Sequence, residues 1–143
     1  MYARLMQLLL LALVAAGCAG DGSTLGPDGK EVELPTTDIT LTQISEQIFA
    51  VSCAFSGCHG GGAPAANMSL EADFVAGEII DIASSERPEL KRIDPGNPDS
   101  SYLLMKLRAD DGILFSQMPL GGILTDEQIE MIREWIAGGA PLE

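Results

Sequence analysis

The sequence predicts an all-α domain of three to five helices joined by long loops. Apolar residues recur at helical spacing in several segments, strand-like alternation is rare, and Gly-, Pro- and Asp-rich stretches separate the helical segments. The chain has 143 residues, of which 46% are hydrophobic but only 5% are aromatic. A domain of this size therefore has few large side chains with which to fill a core. Long loops are uncommon in compact domains unless something organises them.

Residues 1–17 have the pattern of a secretory signal peptide. A single basic residue, Arg4, precedes an apolar stretch from Leu5 to Ala16, which is interrupted only by Gln7. This stretch is too short to span a bilayer as a helix, because a span needs roughly 20 apolar residues. The pattern predicts an exported bacterial protein.

The stretch ends in Ala15-Ala16-Gly17-Cys18, which resembles the cleavage motif of bacterial lipoproteins. The resemblance implies that Cys18 is lipidated and becomes the N-terminus of the mature chain, anchored stably by two or three acyl chains. Ala19 after this cysteine favours the outer membrane, since an Asp at that place retains such proteins at the inner membrane. The alternative is an ordinary signal peptide, which leaves Cys18 as a free thiol.

Residues 18–37 comprise the predicted lipidated cysteine and a flexible linker rich in Gly, Asp, Ser, Thr and Pro. The formal net charge of the chain is -13, and it becomes -14 once Arg4 is removed with the signal peptide. Such a charge excludes nucleic acid and anionic lipid as natural partners and favours a basic protein partner, although solubility alone also explains it.

The predicted domain, residues 38–143, opens with a helix from Thr40 to Ser52. A second, short helix is predicted within Glu71 to Ala83, and a third from Asp99 to Arg108, after a turn-rich Asp94–Pro98 segment. The residues expected on the buried faces of the first two helices are apolar: Ile44, Ile48, Phe49 and Val51, then Phe74, Ile79, Ile80 and Ile82.

The last predicted helix has the clearest signals. Thr125 is a good N-cap, and Gln128 three residues later completes a capping box. Gly138-Gly139 ends the helix. The residues at helical spacing between these signals are Ile129, Ile132, Trp135 and Ile136.

The chemistry is concentrated in Cys53-Ala-Phe-Ser-Gly-Cys58-His59, which contains the only His of the chain. In a C-x-x-C-H motif the two thiols form thioethers with the vinyl groups of haem, and the adjacent His becomes an iron ligand. Here the spacing is C-x4-C-H, and the small residues Ala54, Ser56 and Gly57 allow the longer loop to bulge. The motif predicts one covalently attached haem c, held by Cys53, Cys58 and His59.

Beyond this motif, the domain resembles small single-haem cytochromes c, and most closely the bacterial cytochrome c-like proteins with widened cysteine spacing. The matching segments occur in the same order along the chain: a helix into Ser52-Cys53, then Cys58-His59-Gly60-Gly61, Pro95-Gly96-Asn97-Pro98 with Ser101-Tyr102-Leu103, Met118-Pro119, and the final helix around Trp135 with Gly138-Gly139-Ala140-Pro141. The resemblance implies a small cytochrome c-like fold with long loops wrapped around a haem. It also implies Met118 as the second axial ligand of the iron, with Met68 in reserve.

A His59/Met118 ligand pair fills both axial positions, which suits an electron carrier and not an enzyme. Four alternatives remain open: a structural Cys53–Cys58 disulfide without haem, a haem-based sensor of small ligands, a zinc site at Cys53, Cys58 and His59, and a redox-active dithiol at the two cysteines. Together, these features predict a lipid-anchored electron carrier of the bacterial cell envelope that exchanges electrons with a redox protein partner.

Overall fold

The computed structural model describes residues 38–143, so the predicted signal peptide, Cys18 and the linker lie outside the described residues. The described part of the chain forms helices, turns and isolated β-bridges and contains no β-strand, which confirms the all-α class. The α-helices are α1 (Leu41–Ile44), α2 (Ala50–Ser52), α3 (Val75–Ile79), α4 (Tyr102–Arg108) and α5 (Asp126–Ala137). A π-helical segment (Ser45–Phe49) joins α1 to α2, and 3₁₀ turns occupy Ala65–Asn67 and Pro98–Ser100.

The first helical stretch begins and ends where the sequence predicts. Thr40 and Gln43 form a capping box: the Thr40 hydroxyl accepts from the Gln43 amide (3.3 Å), and the Gln43 side chain accepts from the Thr40 amide (3.0 Å). Such a cap stabilises a helix by about 1 kcal/mol. The prediction that Val51 is buried is wrong, because its side chain is 59% exposed. The π-helical turns shift the register between Ser45 and Phe49, so that Val51 faces solvent.

The second predicted helix is confirmed as a short one, since α3 covers Val75–Ile79 within the Glu71–Ala83 segment. Ile79 is fully buried as predicted and Ile80 is half-buried, whereas Phe74 and Ile82 are exposed, and their core assignment is wrong. Phe74 precedes the first helical residue, and Ile82 follows the helix end. An interior glycine, Gly77, weakens helix propagation, and the chain then turns sharply into a left-handed conformation.

The third helix begins three residues later than predicted, at Tyr102. Ser101 before it is extended and fully buried. Its hydroxyl accepts from the Asp94 amide (2.9 Å) and donates to the Asn97 carbonyl oxygen (3.0 Å). The side chain of Ser101 thus stabilises the turn that the Pro and Gly residues predict, and this turn sets the direction of α4.

Helix α5 matches its prediction closely. Thr125 and Gln128 form the expected capping box, and Gly138 is the C-cap. Trp135, 1% exposed, donates its indole N–H to the Pro141 carbonyl oxygen (2.9 Å), which also accepts from the Leu41 amide (2.9 Å). Hydrogen bonds to the Pro141 carbonyl oxygen therefore attach this residue to both α5 and α1.

One hydrophobic core contains buried side chains from every described α-helix except α2. It is centred on Trp135 and Phe49 and includes Cys53, whereas Met68 and Met118 pack against its margin. The core therefore reaches the two loops that carry the predicted haem ligands. Within the described residues, the structure has no helix with the length and apolar character needed to cross a membrane.

Candidate functional site: the cysteine–histidine loop

The first cysteine ends the first helical stretch. The Cys53 amide still donates to the Phe49 carbonyl oxygen (2.9 Å), but the backbone then leaves the helix. The His59 amide returns to the Cys53 carbonyl oxygen (3.1 Å), and the Cys58 amide donates to the Phe55 carbonyl oxygen (2.9 Å). These bonds close the loop, so the two additional residues of the C-x4-C-H motif are accommodated in an exposed bulge. The backbone thus brings His59 next to Cys53.

This closure requires a glycine directly after the histidine. Gly60 is buried, and a Cβ atom at this position would lie 2.3 Å from the Ala54 carbonyl oxygen. No larger residue fits without moving the backbone, since the contact is with main-chain atoms. Gly60 therefore permits the tight approach of the loop's two ends, a role that the Cys58-His59-Gly60 pattern alone does not reveal.

The His59 side chain is half-buried and held by a main-chain group. Its Nδ1 lies 3.2 Å from the Met68 carbonyl oxygen, and its own carbonyl oxygen accepts from the Leu70 amide (2.8 Å). A carbonyl oxygen can only accept, so Nδ1–H donates this bond, and in the neutral imidazole Nε2 is the nitrogen with a free lone pair. Metal-ligating histidines are oriented in this way, with the non-ligating nitrogen bonded to a carbonyl or carboxylate. The orientation of the His59 ring is therefore suited to binding iron.

The acceptor segment is itself held in place. Arg92, whose side chain is 12% exposed, donates to the carbonyl oxygens of Glu78 (2.6 Å) and Ala66 (3.3 Å). Ala66 lies two residues before Met68, so this guanidinium links the segment to the end of α3. The Met68 carbonyl and Arg92 were not predicted from the sequence, because a main-chain acceptor has no sequence signature.

The two thiols differ in environment and are not joined by a disulfide. Cys53 is buried and Cys58 is exposed. Burial raises the pKa of the Cys53 thiol to about 11, with a further contribution from the charge of Cys58. Redox-active dithiols depend on a lowered cysteine pKa, because the thiolate is the reactive form. The shift at Cys53 has the opposite direction, so Cys53 is not an activated thiolate.

Met118 lies on the loop between α4 and α5. Its side chain is half-buried at the margin of the core, and its amide donates to the Lys106 carbonyl oxygen (3.0 Å). The neighbouring Gln117 side chain donates to the Leu107 carbonyl oxygen (2.7 Å). No hydrogen bond within residues 38–143 joins this loop to the Cys53–Gly60 loop. Cys53 belongs to the hydrophobic core, and Met118 packs against the margin of the same core.

Large apolar side chains are exposed on both loops. Phe55 is 50% exposed on the cysteine loop. Four more lie on either side of Met118, namely Leu114, Phe115, Leu120 and Ile123. Phe115 and Ile123 are 85% and 78% exposed. Exposed apolar side chains need a partner to leave water, and a porphyrin presents two broad apolar faces. Exposed apolar side chains therefore lie on the same two loops as the candidate ligand residues.

Two shallow clefts occur elsewhere, along the first helical stretch. Their volumes are about 260 and 230 Å³, and Ser45, Glu46 and Ala72 line both. Neither cleft is lined by Cys58, His59 or Met118. Among the described residues, no three His, Cys, Asp or Glu side chains are arranged as a metal-ion site, which gives the zinc alternative no support.

Comparisons with protein-family models, with curated proteins and with solved structures gave no match. The functional argument therefore depends on the chemistry and geometry of the chain's own residues.

Proposed function

We propose that this protein is an electron carrier with one covalently attached c-type haem, tethered to a bacterial membrane by a lipid on Cys18. The observation that carries the proposal is the environment of His59, the residue that directly follows Cys58. Its Nδ1 is bonded to the Met68 carbonyl oxygen, which leaves Nε2 available as a ligand. A structural disulfide would give this oriented imidazole no role.

Each residue of the proposed site has a separate task. Cys53 and Cys58 would form the two thioether bonds to the haem, and the His59 imidazole and the Met118 thioether would bind its iron. When bound, the haem supplies a one-electron Fe(II)/Fe(III) couple. A His/Met pair raises the reduction potential and leaves no open coordination position, so we propose a carrier and not an enzyme.

The exposed apolar residues of the two loops have a role in this proposal. Phe55 lies between the cysteines, and Leu114, Phe115, Leu120 and Ile123 lie around Met118. Their side chains would cover the macrocycle and exclude water from the iron ligands, and a low-dielectric surrounding is one of the means by which a protein tunes a haem. The cytochrome c-like wrap of long loops around a haem is part of the same proposal.

The proposed partner is a redox protein with a basic docking face. The mature chain has a formal net charge of -14, so it attracts a basic surface and repels nucleic acid. The lipid on Cys18 and the linker that follows it would hold the domain near the membrane, at the outer membrane or the periplasmic face. Cys18 and the linker lie outside the described residues, 38–143.

The function is tested on the full chain, exported together with a cytochrome c maturation system. We expect reversible one-electron reduction in an optical cell and no binding of carbon monoxide by the ferrous protein, because Met118 occupies the sixth position. Carbon monoxide binding by the wild type would favour the sensor alternative. A protein without a haem spectrum would contradict both haem-based functions.

A further inference from the structure

Lys106 is an unusual residue because its charged side chain is buried inside the fold. It lies in the last turn of α4 and is 6% exposed. Its Nζ donates to the Glu86 carboxylate (3.1 Å) and to the Leu114 carbonyl oxygen (2.6 Å). A lysine is almost never fully buried unless its charge is paired. This lysine pairs its charge with Glu86 and uses a second bond to hold the main chain of a loop.

Tyr102 lies one helical turn before Lys106 and forms hydrogen bonds to the same two residues, Glu86 and Leu114. Its hydroxyl donates to the Glu86 carboxylate (2.7 Å) and accepts from the Leu114 amide (2.9 Å). Burial and the bond to Glu86 raise the pKa of Tyr102, so the hydroxyl remains protonated. Both main-chain groups of Leu114 are therefore bonded to α4 side chains. Glu86 is held by the bond from its own amide to the Ser84 hydroxyl (3.2 Å).

Leu114, whose main chain these bonds restrain, lies four positions before Met118. Lys106 also holds the other end of this segment, because its carbonyl oxygen accepts from the Met118 amide. Between the two anchors, Phe115 has a positive φ of 59° and is 85% exposed, so its side chain packs against little. Polar bonds to α4 therefore hold both ends of the segment that leads into Met118, whose side chain packs at the margin of the core.

We propose that Lys106, Tyr102 and Glu86 form a buried positioning network that holds the Leu114–Met118 segment so that the Met118 thioether stays on the iron. The inference deepens the proposed function and depends on it, since it concerns the same axial ligand. None of these three residues is among those proposed to hold the haem. They act through the loop backbone and raise the fraction of protein in which Met118 is bound.

The test measures how tightly imidazole binds to the ferric holoprotein, since imidazole must displace Met118. Lys106→Met removes the charge-assisted bond to the loop and keeps the length of the side chain. We expect the affinity for imidazole to rise about tenfold, the effect of losing one such bond. Arg133→Met is the matched control, because it removes one positive charge from an exposed pair with Glu130 on α5. It should leave the imidazole affinity unchanged.

A Met118→Ala background shows whether the effect passes through the axial ligand. In that background Lys106→Met should no longer change the imidazole affinity. A persistent effect would overturn the inference, and so would a Lys106→Met variant that binds imidazole like the wild type. If wild type and Met118→Ala bind imidazole equally, Met118 is not a ligand: the proposed ligand pair then fails, and the inference fails with it.

Tyr102→Phe is a milder variant in case Lys106→Met does not fold. It keeps the ion pair but removes the hydroxyl that binds the Leu114 amide. We expect about fivefold tighter imidazole binding and faster hydrogen exchange of the Leu114 amide. Unchanged exchange and unchanged imidazole binding in a folded Tyr102→Phe protein would show that the network does not position the loop.

Discussion

Replacing Met118 by Ala is expected to open the sixth coordination position of the proposed haem. The ferrous protein should then bind carbon monoxide, and the reduction potential should fall. We expect a shift on the order of 100 mV, within the roughly 0.8 V range over which axial ligands set haem potentials. The physical reason is the loss of the thioether, which favours the ferrous state. Carbon monoxide titration and spectroelectrochemistry of the same preparation measure both effects.

Met68→Ala is the informative control for that experiment. Met68 is the reserve candidate from the sequence, and it is half-buried at the margin of the same core. In the structure it is the main-chain carbonyl of Met68 that contacts His59, and an Ala keeps this group. Met68→Ala should therefore retain the wild-type spectrum. If Met68→Ala opened the iron and Met118→Ala did not, the axial assignment would be reversed.

Replacing both motif cysteines by Ser is expected to abolish haem attachment and to destabilise the domain strongly. Without the macrocycle, the apolar side chains around Met118 remain exposed to water. Full burial of one such side chain contributes about 1.5–3 kcal/mol, so partial cover of several contributes a few kcal/mol. We expect the melting temperature to fall by more than about 10 °C relative to the holoprotein. Thermal unfolding followed by circular dichroism measures this.

The control for the serine variant is the wild-type chain exported without the maturation system. This protein keeps both cysteines. It therefore separates the loss of haem from the effect of replacing the buried Cys53 by Ser. This haem-free wild type should melt close to the double variant if the haem provides the stability. A double variant that melts cooperatively at the temperature of the holoprotein would show that haem has no part in the stability of the domain.

The elements that the sequence predicts well are those with local signals. Both capping boxes, at Thr40 and Thr125, occur where the Thr–x–x–Gln pattern indicates. The errors at Val51 and Phe74 also have local causes. A π-helical segment precedes Val51, and α3 begins only after Phe74, but neither feature has a clear signal in the amino-acid sequence. Helical periodicity assumes a regular helix, so it assigns residues to the wrong face where the helix is irregular.

The site was predicted only in part, for a different reason. The spacing of Cys53, Cys58 and His59 is a property of the sequence, whereas the bond from His59 to the Met68 carbonyl depends on how the following loop folds back. Lys106 falls on the apolar face of its predicted helix, which is a signal of a special role. Its partner Glu86 is 20 residues away, and only the tertiary structure brings the two together.

The most direct test of the central claim is the mass of one tryptic peptide from the full chain, exported with a cytochrome c maturation system. Trypsin does not cut between Arg87 and Pro88, so the peptide from Glu31 to Lys91 contains both motif cysteines and His59. Cys18 lies in a different peptide, so lipidation does not affect the result. The account predicts that this peptide carries the mass of one haem after denaturation. A haem-free peptide with Cys53 and Cys58 joined as a disulfide would contradict it.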